Sequence, residues 1–169
     1  MNTTLKKILS WLLVIIWIII IFIFSGMDSK SSNNKSEKTI NKVVETTLDA
    51  TNNLGITNKH PNNFKLNEFV LKLNRPFRKC MHAFVYFVLA ILVLNALKVS
   101  NVKNYKLYLI CFIICFLHSL LDEYHQTFIN GRTGQIIDSI IDTSGSIVGI
   151  MIYYFINKYI KILKIRHKL

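Results

Sequence analysis

Acidic residues and cysteines are both scarce in this chain, and each scarcity excludes something. Three cysteines, Cys80, Cys111 and Cys115, cannot make an even-numbered disulfide framework, and their spacing matches no thiolate metal site. Cys111 and Cys115 fall one helical turn apart in an apolar run, as small space-filling residues do. Nine Asp and Glu against 21 Lys and Arg leave a formal charge of +12. A nucleic-acid-binding surface of that charge would line a groove with its basic residues. Here they separate long apolar runs instead, which argues against nucleic acid as a partner. Charge is missing altogether from residues 8–24. With 51% hydrophobic residues and a mean hydropathy of +0.36, the pattern fits apolar segments facing lipid, bordered by Lys and Arg.

The length supports a single domain, 1–169. The first apolar run, 8–24, follows Lys6 and Lys7 and would form about 25 Å of helix at roughly 1.5 Å per residue. A cleaved signal peptide has a shorter apolar core and a small-residue exit. The exit here is Phe24-Ser25-Gly26-Met27, so an uncleaved first span is expected. Further runs at 81–97, 107–121 and 136–160 predict three more spans, and the short basic linker 98–106 implies a helical hairpin. Residues 25–80 are polar and lysine-rich, with two amphipathic patterns. Ile40, Val43, Val44, Thr47 and Leu48 recur at helical spacing behind a capping box of Asn34 and Glu37. In 64–73, Leu66, Phe69, Val70 and Leu73 form a stripe that ends at Pro76. These segments read either as interfacial helices or as a partly ordered loop.

The fold class is therefore an all-α integral membrane protein, a bundle of four transmembrane helices with an external loop carrying amphipathic segments. With the N-terminus inside, ten of the 21 Lys and Arg fall on the inner side and eleven on the outer. Their denser packing on the inner side favours a multi-pass protein of the cell membrane with both termini cytoplasmic.

The polar residues of the apolar half are not scattered. His82 opens the second span, and the third leaves through His118, Asp122, Glu123, His125 and Gln126. A short loop with Arg132 and Gly134 follows, and the fourth span enters with Asp138 and Asp142. Spans of alternating direction bring all of these to one end of the bundle, whichever way it is inserted. His118, Asp122 and His125 stand at i, i+4 and i+7 and share a face. On the fourth helix Asp138 and Asp142 are followed on nearly the same stripe by Gly145 and Gly149, a spacing that permits close approach of a neighbouring helix. A charge at mid-bilayer costs about 2.5–3.5 kcal/mol on insertion scales, so such residues need partners. Arg132 is the expected partner of Asp138, Glu123 or Asp122, and its forked guanidinium also suits a phosphate. Structural roles stand beside the functional ones. Glu123 and His125 could be solvated at a helix end, His82 could be an interfacial histidine, and Arg132 a clamp.

Three blocks carry a family likeness. They are Arg78-Lys79-Cys80-Met81-His82-Ala83-Phe84-Val85-Tyr86, then Asp122-Glu123-Tyr124-His125-Gln126-Thr127-Phe128, then Gly131-Arg132 with Asp138, Asp142, Gly145 and Gly149. Together they resemble the VanZ-like membrane protein family, which is associated with teicoplanin resistance. The likeness covers most of 75–150. It departs at the end of the first span, where members commonly show Phe-Ser-Ser-Gln and this chain has Phe24-Ser25-Gly26-Met27. The resemblance implies a small bundle of membrane spans connected with the cell envelope.

Two classes of function follow as expectations. In one, the chain acts on an envelope lipid at the outer interface. His82, Glu123, His125 and Asp138 are then the candidate catalytic groups, and Arg132, Asp122, Gln126, Tyr86 and Arg78 the candidate substrate-binding groups. In the other, a non-catalytic module binds a membrane lipid, a lipid-linked envelope precursor or a lipoglycopeptide. The spacing of Gly134, Asp138 and Asp142 echoes the tail of the metal motif of CDP-alcohol phosphotransferases, but the Asp-x-x-Asp-Gly half is missing. No metal is expected on that basis, and no cofactor is identified.

Overall fold

The computed structural model describes residues 3–26, 29–53, 63–129 and 134–166. They form five helices and, among the described residues, no strand: α1 (Thr3–Ser25), α2 (Ser29–Asn53), α3 (Asn63–Val99), α4 (Tyr105–Gln126) and α5 (Ile136–Arg166). Four stretches are long and apolar enough to cross a membrane: Thr3–Ser25, Leu71–Val99, Tyr105–Gln126 and Ile136–Lys164. They match the four expected spans, each extended at one or both ends.

The hub is α3, which packs against each of the other helices. Its buried residues Tyr86, Leu89, Ala90, Val93, Leu94 and Leu97 recur at three and four positions, so one face of the helix is continuous core. By contrast α1 is apolar all round and buries only Val14, Ile21 and Ser25. Ile8, Leu12, Ile15, Ile19 and Ile23 remain exposed, as a helix bathed in hydrocarbon requires. The cysteines Cys111 and Cys115 are buried fillers, and Cys80 is exposed.

Inter-helix contacts give the direction of every span. From α1 to α3, Trp11 Nε1 donates to Ser100 Oγ (3.0 Å) and Trp17 Nε1 to the Val85 carbonyl (3.0 Å), an antiparallel register. From α3 to α4, Ala90 meets Cys111 and Tyr86 meets His118, again antiparallel. From α3 to α5 the register is parallel: Lys79 faces Asp138, His82 faces Asp142, and the Tyr86 carbonyl accepts from Ser146. Gly145 and Gly149 make this last pairing possible. A Cβ on Gly145 would collide with the Ala83 carbonyl oxygen, and one on Gly149 would stand 2.8 Å from that of Phe87. The close approach expected from the spacing is thus the α3–α5 crossing.

Two expectations are corrected. Helix α3 does not end at Pro76 but runs through it. Proline removes one N–H and leaves a carbonyl unbonded one turn back. Pro76 is exposed, so that carbonyl can be solvated, while α2 packs against α3 on its N-terminal side. Nor does a helix begin at Asn34, because α2 starts at Ser29 and the supposed capping box lies inside it. Glu37 instead accepts a hydrogen bond from buried Asn74 on α3 at 3.1 Å. The segment between the first two spans is thus helical in its described parts.

The end of α1, the start of the α3 span, the end of α4 and the start of α5 share one end of the bundle. The expected result is therefore that cysteines placed at exposed Lys38 and Thr127, in a Cys80→Ser background, react with a membrane-impermeant thiol reagent from the same compartment. A cysteine at Lys103 should react from the opposite one. Labelling of intact cells against inverted vesicles checks this, and opposite compartments for Lys38 and Thr127 would overturn the arrangement.

Candidate functional site

The polar end is built from three facing stripes. On α3, Lys79, His82 and Tyr86 follow one another at three and four positions. On α5, Asp138 and Asp142 are one turn apart. On α4, His118, Ser119, Asp122, Glu123 and Gln126 form the buried side of the last two turns. Pairs of small residues close the gap between α4 and α5. Ser119 Oγ donates to the Ser139 carbonyl at 3.2 Å and Ser139 Oγ to the Ser119 carbonyl at 3.4 Å, with both serines fully buried.

At the rim, Lys79 Nζ lies 2.8 Å from Asp138 Oδ1, with both side chains partly exposed. This is an ion pair by distance, although the angle is not that of a hydrogen bond. One turn deeper, His82 Nδ1 stands 3.8 Å from Asp142 Oδ1. Asp142 is 1% exposed, and neither of its carboxylate oxygens accepts a hydrogen bond among the described residues. Asp122, fully buried, completes the group. One donor atom each from His82, Asp122 and Asp142 lies within 4.8 Å of the other two.

A second chain of contacts ties α1 to this cluster. Gln126 Nε2 donates to Ser25 Oγ at 2.9 Å and to Asp122 Oδ2 at 3.3 Å. Phe22 sits edge-on to His118 (5.4 Å between centroids) and to His125 (5.3 Å), which accounts for the shared face of those histidines. His118 Nδ1 is 3.1 Å from the Tyr86 hydroxyl.

Glu123 is buried rather than solvated, and its Oε2 accepts the backbone N–H of Gln135 at 2.8 Å, immediately before α5 begins. That bond fixes where the fourth span enters the bundle. Gly134 assists it, since a Cβ there would stand 2.6 Å from the Glu123 carbonyl oxygen.

The structure thus gathers His82, Asp122, Glu123, His125, Gln126 and Asp138 at one end. Tyr86 is a core group one turn deeper, and Arg78 is half-buried beside Lys79 on α3. Arg132 lies outside the described residues, and the partner found for Asp138 is Lys79. Four participants had no role assigned from sequence: Ser25, Phe22, Lys79 and Asp142. Asp142 had a visible signal, a carboxylate inside an apolar run. Lys79 had none, because it falls just outside the expected span 81–97.

Four helices long and apolar enough to cross a membrane, with half-buried His82 and buried Asp122 and Asp142 drawn together at one end, define a multi-pass membrane protein. The family model described as VanZ/LLP1 matches residues 10–157, so the chain belongs to the VanZ/LLP1 family. No match was found among the curated proteins or among the solved structures compared.

Proposed function

We propose that this chain binds an envelope lipid, or a lipid-linked headgroup, at the polar end of its bundle, with that end on the outer face of the cell membrane and both termini cytoplasmic. The observation that carries the reading is the partly exposed Lys79–Asp138 pair at the rim of a buried carboxylate and imidazole cluster. An exposed ion pair is worth only about 0–1 kcal/mol, so Lys79 can exchange Asp138 for a phosphate oxygen at little cost. Arg78 on the same helix, and Arg132 in the loop beyond α4, are further cations for such a headgroup. Phe84, Ile137 and Ile140 are exposed apolar side chains on the same ends of α3 and α5 and suit an acyl or polyprenyl chain.

The catalytic version would use His82, His125 or Asp138 for proton transfer. The non-catalytic version, a lipid or lipoglycopeptide interaction module, is favoured by one observation: Glu123 already holds the Gln135 N–H. Family association with teicoplanin resistance supplies a cellular readout for either version.

The test is mass spectrometry of lipids retained by the purified chain in native nanodiscs. Wild type should be enriched in phosphate-bearing envelope lipid over an unrelated four-span protein. Losing one charge-assisted contact costs roughly 1.5–3 kcal/mol, so Lys79→Gln should lower retention about tenfold or more. Teicoplanin tolerance of expressing cells should fall in step. Identical lipid profiles for wild type, Lys79→Gln and the unrelated protein would defeat the proposal. Product formed from a defined lipid by purified protein would decide for the enzyme over the module.

A further inference from the structure

We infer that His82, Asp122 and Asp142 form a binding site for one divalent transition-metal ion, of the Mn²⁺ or Zn²⁺ class. No local motif could show it, because each residue comes from a different helix: α3, α4 and α5. Their donor atoms already lie within 4.8 Å of one another, with His82 and Asp142 at 3.8 Å. Around a first-row divalent ion with bonds of about 2.0–2.2 Å, neighbouring donors sit about 3.0–3.5 Å apart. Drawing these atoms together by about 1 Å would close the cluster onto an ion.

A second observation points to a ligand independently of that spacing. Asp142 is 1% exposed, yet neither oxygen accepts a hydrogen bond among the described residues. Buried polar groups are ordinarily hydrogen-bonded, and an exception needs an account. Neighbours with hydroxyls do not supply one. Ser139 and Thr143 direct theirs to the Ser119 and Ser139 carbonyls, and Ser146 directs its own to the Tyr86 and Asp142 carbonyls. Lys79 is held by Asp138 at the rim. Asp142 is thus a carboxylate kept in low dielectric, with Oδ1 3.8 Å from the His82 imidazole and one of its oxygens within 4.8 Å of a second carboxylate.

Two carboxylates and a neutral imidazole carry two negative charges, which one divalent cation balances. One nitrogen with two oxygens suits Mn²⁺ or Zn²⁺ better than Ca²⁺ or Mg²⁺, which favour all-oxygen sets. Three protein ligands leave coordination positions open, as in metal sites that take a substrate atom. An open position would take a phosphate oxygen of the headgroup. That last statement rests on the lipid reading above, whereas metal binding itself does not.

The experiment uses the full chain, purified in detergent, stripped with chelator and dialysed against Mn²⁺ or Zn²⁺. Elemental analysis by mass spectrometry should find one equivalent per chain, and Mn²⁺ should give an immobilised electron paramagnetic resonance signal. Asp142→Asn and His82→Ala should each weaken affinity by about tenfold or more while keeping the helical circular dichroism of wild type. Ser144→Ala, at an exposed position on α5 outside the ligand set, should bind metal as wild type does. Failure of folded wild type to take up metal, or undiminished uptake by Asp142→Asn, overturns the site and leaves a proton shared by the carboxylates as its charge balance. In the lipid arm, binding of a polyprenyl phosphate and of inorganic phosphate is measured with metal and after chelation. Loss of both on chelation supports direct coordination. Full metal occupancy with phosphate binding indifferent to chelator overturns the coordination while the metal site stands.

Discussion

Gly145→Ala should lower the stability of the bundle by about 3 kcal/mol or more, and Gly145→Leu should prevent accumulation of folded protein altogether. The added methyl group would collide with the Ala83 carbonyl oxygen and stand 2.8 Å from the Ala83 Cα. Those are backbone atoms of α3, so no rotamer change relieves the contact. Helices α3 and α5 would have to separate, and the site spans their interface: the Lys79–Asp138 and His82–Asp142 pairs would open together. Without a hydrophobic drive between helices in lipid, close packing is the main attraction, which makes the loss severe. Unfolding by SDS titration in mixed micelles measures it. Ser144→Ala, at an exposed neighbouring position, should stay within about 0.5 kcal/mol. If Gly145→Ala also stays in that range, the α3–α5 register is wrong.

Much of this arrangement was legible in the residue order, for physical reasons that differ from element to element. Spans are legible because a charge-free run has only lipid or core to face. Convergence of His82, Asp122, Glu123 and Asp138 on one end is legible because alternating helices must return the chain to the same face. Gly145 and Gly149 announced a close crossing, although not its partner. What was hidden depends on rotation about helix axes. Whether Asp142 meets His82, Asp122 or lipid is decided by the phase of three helices at once. That phase is set by contacts such as Ser119 with Ser139 and Ala83 with Gly145. Lys79 was hidden because it lies two residues before the expected second span, in a segment whose helical state the polar composition does not decide. Glu123 misled for a different reason. A glutamate near a helix end is ordinarily solvated, but the Gln135 N–H at the entry of α5 recruits this one into the interior.

Asp142→Leu should raise the stability of the chelator-stripped protein by about 1–4 kcal/mol, while the same variant in metal-replete preparations loses its retention of envelope lipid. Leucine is bulkier than aspartate and has no polar atoms, so the gain from removing the carboxylate is read net of an overpacking cost of about 1–3 kcal/mol. It removes a carboxylate that accepts no hydrogen bond among the described residues and lies 1% exposed. A residue that serves the fold would lose stability on such a change; one kept for a ligand gains it, at the expense of function. Asp122→Leu supplies the contrast, because Asp122 accepts from Gln126, which in turn donates to Ser25 on α1. Removing that acceptor strands the Gln126 amide and loosens α1, so the expected change is a loss of about 1–3 kcal/mol. Both variants place the same side chain in the same cluster, but of the two only Asp122→Leu removes a hydrogen bond made among the described residues. SDS titration of the stripped proteins, with lipid retention measured in parallel nanodisc preparations, reads the two signs directly. Destabilisation by Asp142→Leu equal to that by Asp122→Leu would make Asp142 a packing element and remove the ground for a ligand site there.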